Sequence, residues 1–306
     1  MALLRTVVRG QNRYYYLVHT YRWGGAMHRK ERYLGAERPR DLDRQRELLE
    51  REVWKETWFR TFQRIHEAYR SRQRSLPRSV VEKEREEFLM EFTYDTNRIE
   101  GSTLTRDETV DLLSRGISPS SRPMRDIRET QLHAGLLRQL LERPEPVDLP
   151  HLLSWHKAIF GETKADIAGR VREFEVRIRG SKHLPPSVLE VRPMLVELLR
   201  WVRRSAGTID PVERAATFHF RFENIHPFGD GNGRIGRLAM NLLLFQDEYP
   251  MLNIRYGKRR GYYSALERAS LVGTPRPFLL WFFLRYLRDQ QIWLRLDTRG
   301  RARTDT

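Results

Sequence analysis

The chain has 306 residues, 40% of them hydrophobic and 31% charged, with no cysteine and a formal charge of +16. That suffices for one large folded domain with a smaller appendage but not for three, and the apolar share argues against overall disorder. The missing thiols exclude a disulfide framework, thiolate metal centres and a cysteine nucleophile, while the basic surplus favours polyanions such as nucleic acid, nucleotides or an anionic membrane surface.

No apolar run approaches the roughly 18 to 20 residues of a membrane helix. Met1-Ala2-Leu3-Leu4-Arg5 lacks the basic stretch and long apolar region of a secretory signal, so a cytoplasmic protein is expected. The charge is uneven: residues 1–80 hold 19 Lys and Arg against 9 Asp and Glu.

Alternating β-rich runs at 3–9, 14–18 and 27–34, separated by Gly10-Gln11-Asn12 and Gly24-Gly25, predict a small three-stranded meander. From about 41 to 69 the apolar residues Leu49, Val53, Trp58, Phe62, Ile65 and Tyr69 recur three, four or five apart, the pattern of a long amphipathic helix. Ser75-Leu76-Pro77 breaks it and marks a loose module boundary. Beyond it, Ser79-Val80-Val81-Glu82 and Thr105-Arg106-Asp107-Glu108 read as capping boxes, and Asp210-Pro211-Val212-Glu213 adds proline at a first helical position. Helices are expected at 79–99, 105–114, 124–141, 149–160, 188–204, 210–223, 232–246, 258–271 and 276–293. The stretch 170–184, with Val171, Phe174, Val176 and Ile178, predicts one hairpin in this otherwise helical region. The expected organisation is an accessory module over 1–78, a helical domain over 79–295 that includes a helix at 79–100, and a flexible tail over 296–306.

Between two of these helices lies His226-Pro227-Phe228-Gly229-Asp230-Gly231-Asn232-Gly233-Arg234-Ile235-Gly236-Arg237. A glycine-rich loop running into a helix N-terminus offers free backbone N–H groups and a favourable dipole to phosphate. Arg234 and Arg237, three apart on the first turn, can both reach a polyphosphate. Asp230 suits a Mg²⁺ whose other ligands are water and phosphate oxygens, and His226 is the natural proton acceptor near neutral pH. No Walker, kinase or Rossmann signature is present.

These twelve residues resemble the defining motif of the Fic family, H-P-F-x-[DE]-G-N-G-R-x-x-R, with every fixed position present. The resemblance extends over about 90–293 and implies a mostly α fold, a helical core with one β-hairpin flap, that transfers AMP from ATP to a Ser, Thr or Tyr hydroxyl of a target protein with Mg²⁺. It makes His226 the base, Phe228 an apolar anchor and Asp230 the metal ligand. Gly231, Asn232 and Gly233 become an anion hole, and Arg234 and Arg237 phosphate ligands, the second for the γ-phosphate. Thr96-Asn97-Arg98-Ile99-Glu100-Gly101 resembles the family's inhibitory motif [ST]-x-x-x-E-[GN], here N-terminal to the core as in its second class. It implies that Thr96, Glu100 and Gly101 form a brake in which the Glu100 carboxylate competes with the γ-phosphate for Arg237. The hairpin resembles the family's target-docking flap, with Leu184-Pro185-Pro186 at its exit, and Tyr263 aligns with a tyrosine that contacts adenine. Ser270 stands where close relatives often carry the asparagine that contacts ribose.

The leading expectation is therefore an autoinhibited protein adenylyltransferase, with self-modification and a homodimer left open. Two alternatives stand beside it: hydrolytic removal of AMP from a modified protein, and a nucleic-acid-binding regulator acting through the basic N-terminal module.

Overall fold

The first strands pair as an antiparallel meander, β1 (Leu3–Arg9), β2 (Asn12–Trp23) and β3 (Ala26–Gly35), in sheet order β1-β2-β3. Gly24 and Gly25 both take positive φ, 58° and 86°, so the two-residue turn follows the twist of the strands it joins. The β2–β3 ladder runs from Trp23 opposite Ala26 to Tyr16 opposite Tyr33 and shifts register between Tyr15 and Tyr16. β2 outruns the expected 14–18 because Thr20, Tyr21 and Trp23 also favour extended backbone and find partners on β3. Leu17 and Leu49 are buried with Ala2, and Leu34 and Leu42 close over them, which packs the sheet on α1 (Leu42–Trp54). Lys30 and Arg32 of β3 pair with Glu56 and Glu52, so part of the basic surplus is neutralised within this unit.

The long helix expected over 41–69 is α1, a π turn at Lys55–Phe59, and α2 (Arg60–Ser75). The apolar spacing explains the interruption. Val53 and Trp58 are five residues apart, one more than an α-turn allows, and the wider turn absorbs the extra residue. The Thr57 and Thr61 hydroxyls donate back to the Val53 and Thr57 carbonyls at 2.6 and 2.8 Å. The computed structural model describes residues 2–295; backbone contacts divide it into two units, Met1–Arg64 and Ile65–Thr306, the division falling inside α2. The expected tail at 296–306 lies outside the described residues.

The second unit contains α3 (Arg78–Ile99), α4 (Arg106–Arg115), α5 (Met124–Glu142), α6 (Leu149–Phe160), α7 (Val188–Ser205), α8 (Pro211–Ile225), α9 (Asn232–Gln246), α10 (Arg259–Val272) and α11 (Arg276–Asp289). α11 ends at Asp289, where Gln290 leaves helical geometry and its Nε2 donates to the Met251 carbonyl at 2.9 Å, and residues 291–295 are helical again, so the expected helix over 276–293 forms with one break. Thr105 and Glu108 make the expected reciprocal cap, and Asp210 accepts from the Val212 and Glu213 N–H groups. Ser79 does not cap: α3 starts one residue earlier, with the Pro77 carbonyl taking the Val80 and Val81 N–H bonds. α8 and α9 are buried on nearly all sides, including Phe218, Phe222, Ile235, Leu238 and Leu243, and so form the centre of the helical core. No helix of the described residues is long and apolar enough to cross a membrane.

The segment 170–184 runs outward and turns at Gly180 (φ 78°), with Ser181 N–H bonded to Ile178 O at 3.1 Å. No strand ladder forms there, which corrects the expected β-hairpin. Its backbone groups are taken by side chains: buried Arg172 donates to the Phe174 and Pro186 carbonyls, and Glu267 accepts from Lys182 N.

Candidate active site

α8 ends at His226, whose N–H still bonds to Phe222 O at 2.9 Å while its backbone turns left-handed (φ 50°, ψ 61°); Pro227, lacking an N–H, cannot continue the helix. His226 Nδ1 faces the Glu223 carbonyl at 3.3 Å. A carbonyl only accepts, so Nδ1 carries the proton and Nε2 keeps its lone pair. Burial holds the pKa below the usual histidine value, which keeps the ring unprotonated at neutral pH and its Nε2 lone pair available. Arg172 fixes the loop from outside: its Nε donates to His226 O at 2.9 Å and its backbone N to Pro227 O at 2.9 Å.

Phe228 is fully buried and stacks on His156 with ring centroids 4.0 Å apart. His156 accepts from Gly169 N at Nδ1 and donates from Nε2 to Asp230 O at 3.0 Å, and burial lowers its pKa to about 4. Asn232, expected in the anion hole, clamps the loop in this structure. Its Oδ1 accepts from Phe228 N and its Nδ2 donates to Phe228 O, both at 2.8 Å. Gly231 has φ 79°, and a Cβ there would lie 2.4 Å from the Phe160 ring. A Cβ on Gly233 would meet the Glu100 carboxylate and push it aside, whereas at Gly231 the left-handed backbone and the Phe160 ring themselves require glycine.

Glu100 caps the C-terminal end of α3, and Gly101 (φ 96°) turns the chain away. Thr96 and Glu100, four apart, share the helix face turned to α9. Arg237, 1% exposed, donates from Nη2 to Glu100 Oε1 at 2.7 Å, from Nε to Thr96 Oγ1 at 2.8 Å and from Nη2 to Thr96 O at 3.1 Å. Behind it, His219 Nε2 and Tyr262 Oη are 2.8 Å apart, and burial pushes the His219 pKa to about 3.

Glu223 also belongs to this cluster: its side chain is 13% exposed, but Oε1 is sealed with no hydrogen-bond partner among the described residues. Burial, reinforced by Glu100 and opposed by Arg237, pushes its pKa up to about 8. Unfolded, the carboxyl ionises near pH 4.5, whereas folded it stays protonated. Its contribution is therefore full below pH 4.5 and is lost as pH rises to about 8. Wild type should lose stability relative to Glu223→Gln by about 1.4 kcal/mol per pH unit across that window. Denaturant midpoints at pH 5, 6.5 and 8 measure this, and parallel profiles would contradict it.

Arg234 turns to α5, pairing with Glu129 and stacking its guanidinium 4.4 Å from the Phe160 ring centroid. Glu129 also accepts from Thr163 Oγ1 at 2.9 Å and Lys164 Nζ at 2.6 Å. Lys164 in turn lies 3.0 Å from Asp230 Oδ2, while Asp230 Oδ1 accepts from Gly231 N. Burial raises the Asp230 and Glu129 pKa values, but Arg234 and Lys164 more than offset it and hold both carboxyls ionised. Glu100, Glu129, Lys164, Asp230 and Arg234 line a polar cleft of about 100 Å³. Small-molecule sites usually enclose about 300 to 1,000 Å³, so these side chains leave the cleft smaller than a typical ligand site. Larger clefts, about 420 Å³ between α3 and α11 and about 450 Å³ between α7 and α8, have no residue of 226–237 in their linings.

Tyr263 on α10 is half exposed and its hydroxyl donates to Ile99 O at 3.2 Å, one residue before Glu100. Ser270 donates to Leu266 O within its own helix and lines the α7–α8 cleft. The ring of Phe174 lies against Gly229, where a Cβ would meet it at 2.8 Å. Sequence reasoning missed Glu129, His156, Lys164, Arg172 and Glu223. For Glu129 a signal existed: Asp126, Glu129 and His133 fall on the same helical stripe as Leu137 and Leu140, where only apolar residues are ordinary.

Residues 146–244 match the Fic/DOC family model. The chain carries a Fic domain. Among similar proteins, protein adenylyltransferase fic-1 of Caenorhabditis elegans is 31% identical over 201 residues, 64% of this chain and 39% of that protein. Protein adenylyltransferase Fic of Nematostella vectensis is 28% identical over 199 residues, 63% of this chain and 46% of that protein. The chain thus spans less than half the length of these relatives. Solved structures repeat the fold: Fic-1 residues 134–508 of C. elegans, at 24% identity and TM-score 0.68, covers 88% of this chain and 80% of that one. A Fic family protein from Desulfovibrio desulfuricans G20, at 26% identity and TM-score 0.62, covers 81% and 75%. The matched Fic segment takes in His156, Lys164, Arg172 and the whole 226–237 loop, whereas Thr96, Glu100, Glu129 and Tyr263 lie outside it.

Proposed function

We propose that this chain is a Mg²⁺-dependent protein adenylyltransferase of the second Fic class, moving AMP from ATP to a Ser, Thr or Tyr hydroxyl and held down by Glu100. One observation carries the reading: the Glu100 carboxylate already lies against Gly233 at the start of α9 and on Arg237, an anion in the position the fold offers to phosphate. The similar protein adenylyltransferases of C. elegans and N. vectensis supply the reaction type.

In this reading the α9 N-terminus, Arg234 and Arg237 hold the triphosphate once Glu100 withdraws. His226 Nε2 takes the proton of the target hydroxyl, whose oxygen bonds to the α-phosphorus as pyrophosphate leaves on the opposite side. The residues contribute positioning and fixed charge rather than covalent chemistry. Asp230 is the half-exposed carboxylate that would hold Mg²⁺. It fits a hard cation that draws its remaining ligands from phosphate and water, and the Lys164 ammonium beside it marks a place where positive charge is accepted. Mg²⁺ there would neutralise phosphate charge. Tyr263 lines the adenine side, Thr96 and Gly101 shape the brake, and the target's segment lies along 170–184, where Phe174 and Leu184 are exposed. The proposed catalytic module is 79–295, with 1–78 as an accessory.

The test is incubation of wild type and Glu100→Gly with lysate and α-labelled or γ-labelled ATP. Label added over the lysate-alone control from the α-labelled nucleotide only is the expected result; a chain-dependent increase from the γ-position would mean phosphoryl transfer and overturn the reading. Glu100 keeps 25% exposure beside the cleft, which also suits orientation of a water for the reverse reaction. On an AMP-modified protein Glu100→Gly would then remove AMP more slowly than wild type.

A further inference from the structure

Lys164 belongs to no motif, yet it occupies the middle of the cleft. The turn after α6 fixes its backbone: its N–H bonds to Phe160 O at 2.8 Å, and its carbonyl accepts from Ala168 N at 3.0 Å. Its side chain is 17% exposed, and the ammonium lies 4.8 Å from the Phe160 ring centroid, 2.6 Å from Glu129 Oε1 and 3.0 Å from Asp230 Oδ2. The two acidic partners differ. Glu129 is buried, with Arg234 and Thr163 also upon it, and cannot leave without stranding Arg234. Asp230 is 49% exposed on its loop and can exchange partners.

A compact ammonium with three donors matches a point charge rather than a planar fork. Two cations cannot share Asp230 Oδ2 at contact distance without strong repulsion. A metal ion arriving there must displace the ammonium, and the ion brings phosphate oxygens with it. Resting on the nucleotide site proposed above, we infer that Lys164 is a resident cation that neutralises Asp230 in the ion-free cleft and moves onto the nucleotide's phosphates when a divalent ion takes Asp230. The same side chain then has opposite effects on two ligands: it opposes the free ion and favours the ion–nucleotide pair. A lysine that merely braces the turn would affect neither in this way.

The test uses the full chain in the Glu100→Gly background, with Mn²⁺ alone followed by electron paramagnetic resonance, and a non-hydrolysable ATP analogue with Mn²⁺ followed by calorimetry. Lys164→Gln should bind free Mn²⁺ at least about fivefold more tightly and the analogue about tenfold more weakly, the latter about 1.4 kcal/mol. Lys164→Arg, which keeps the charge, should leave free-ion affinity near that of the parent chain. Should Lys164→Gln not fold, the ¹⁵Nζ resonance of Lys164 in the parent chain gives the same answer: Mg²⁺ alone should shift it, and should not do so in Asp230→Ala. Unchanged Mn²⁺ affinity in Lys164→Gln, where Asp230→Ala abolishes binding, overturns the inference, as does unchanged analogue binding or an unmoved resonance. If Asp230→Ala binds Mn²⁺ as the parent does, it is the metal assignment of the proposed function that fails.

Discussion

Replacing His226 with alanine should lower AMP transfer by at least about a hundredfold, the lower end of what a positioned proton acceptor contributes, while ATP binding stays close to that of the parent. The two effects separate because the proposed phosphate ligands are other groups: His226 ends α8, whereas Arg237 and the N–H groups of α9 lie beyond the Asn232–Phe228 clamp. The substitution is also tolerable structurally. His226 has φ 50°, so alanine carries a left-handed penalty of about 1 to 2 kcal/mol and loses the Nδ1 contact to Glu223 O. Asparagine accepts that backbone geometry more readily, so His226→Asn should be as inactive and more stable. Label incorporation, nucleotide calorimetry and melting temperature measured together decide the matter. Transfer at the parent rate in either variant would remove His226 from the chemistry.

The helices were legible because their signals are local. Thr105 with Glu108, Asp210 before Pro211 and the apolar run of α9 each act within one or two turns. Even the π turn left a trace in the five-residue step from Val53 to Trp58. Long-range satisfaction of polar groups left no such trace. Nothing near Arg172 in sequence indicates that it will be buried on the His226, Phe174 and Pro186 carbonyls, 54, 2 and 14 residues away. That side chain takes the bonds a second strand would have supplied, which is why the β-rich composition of 170–184 suggested a ladder that does not form. Within the site, the residues expected to act on phosphate fall in the expected loop, but their present partners are protein. Arg234 is held by Glu129 and Arg237 by Glu100 and Thr96, while Asn232 is turned inward. Motif spacing identifies which groups gather at the helix start; it does not say which of them a carboxylate from another helix already occupies.

Glu100→Gly should raise AMP transfer, self-modification included, by at least about tenfold. In the present arrangement Arg237 is 1% exposed and its guanidinium is bonded to Glu100 and Thr96, so a γ-phosphate bound as proposed would meet a carboxylate instead of a free guanidinium. A hydrogen bond to a charged group contributes about 1.5 to 3 kcal/mol, and about 1.4 kcal/mol is one decade in rate. Removing the carboxylate has a second consequence, because Arg237 then stays buried with only Thr96 and its polar neighbours around it. The nucleotide-free variant should melt lower than wild type, since breaking a buried pair costs up to about 3 to 5 kcal/mol, reduced here because Glu100 is a quarter exposed. Saturating Mg-ATP should restore more stability to Glu100→Gly than to wild type, because only the variant offers the freed guanidinium. Glu100→Gly combined with Arg237→Ala should lose both the rate gain and the extra stabilisation by ATP. An ordinary surface glutamate would produce neither the higher rate nor the larger thermal shift. If Glu100→Gly is no faster than wild type under saturating Mg-ATP, or if the gain survives loss of Arg237, then Glu100 does not restrain this site through Arg237.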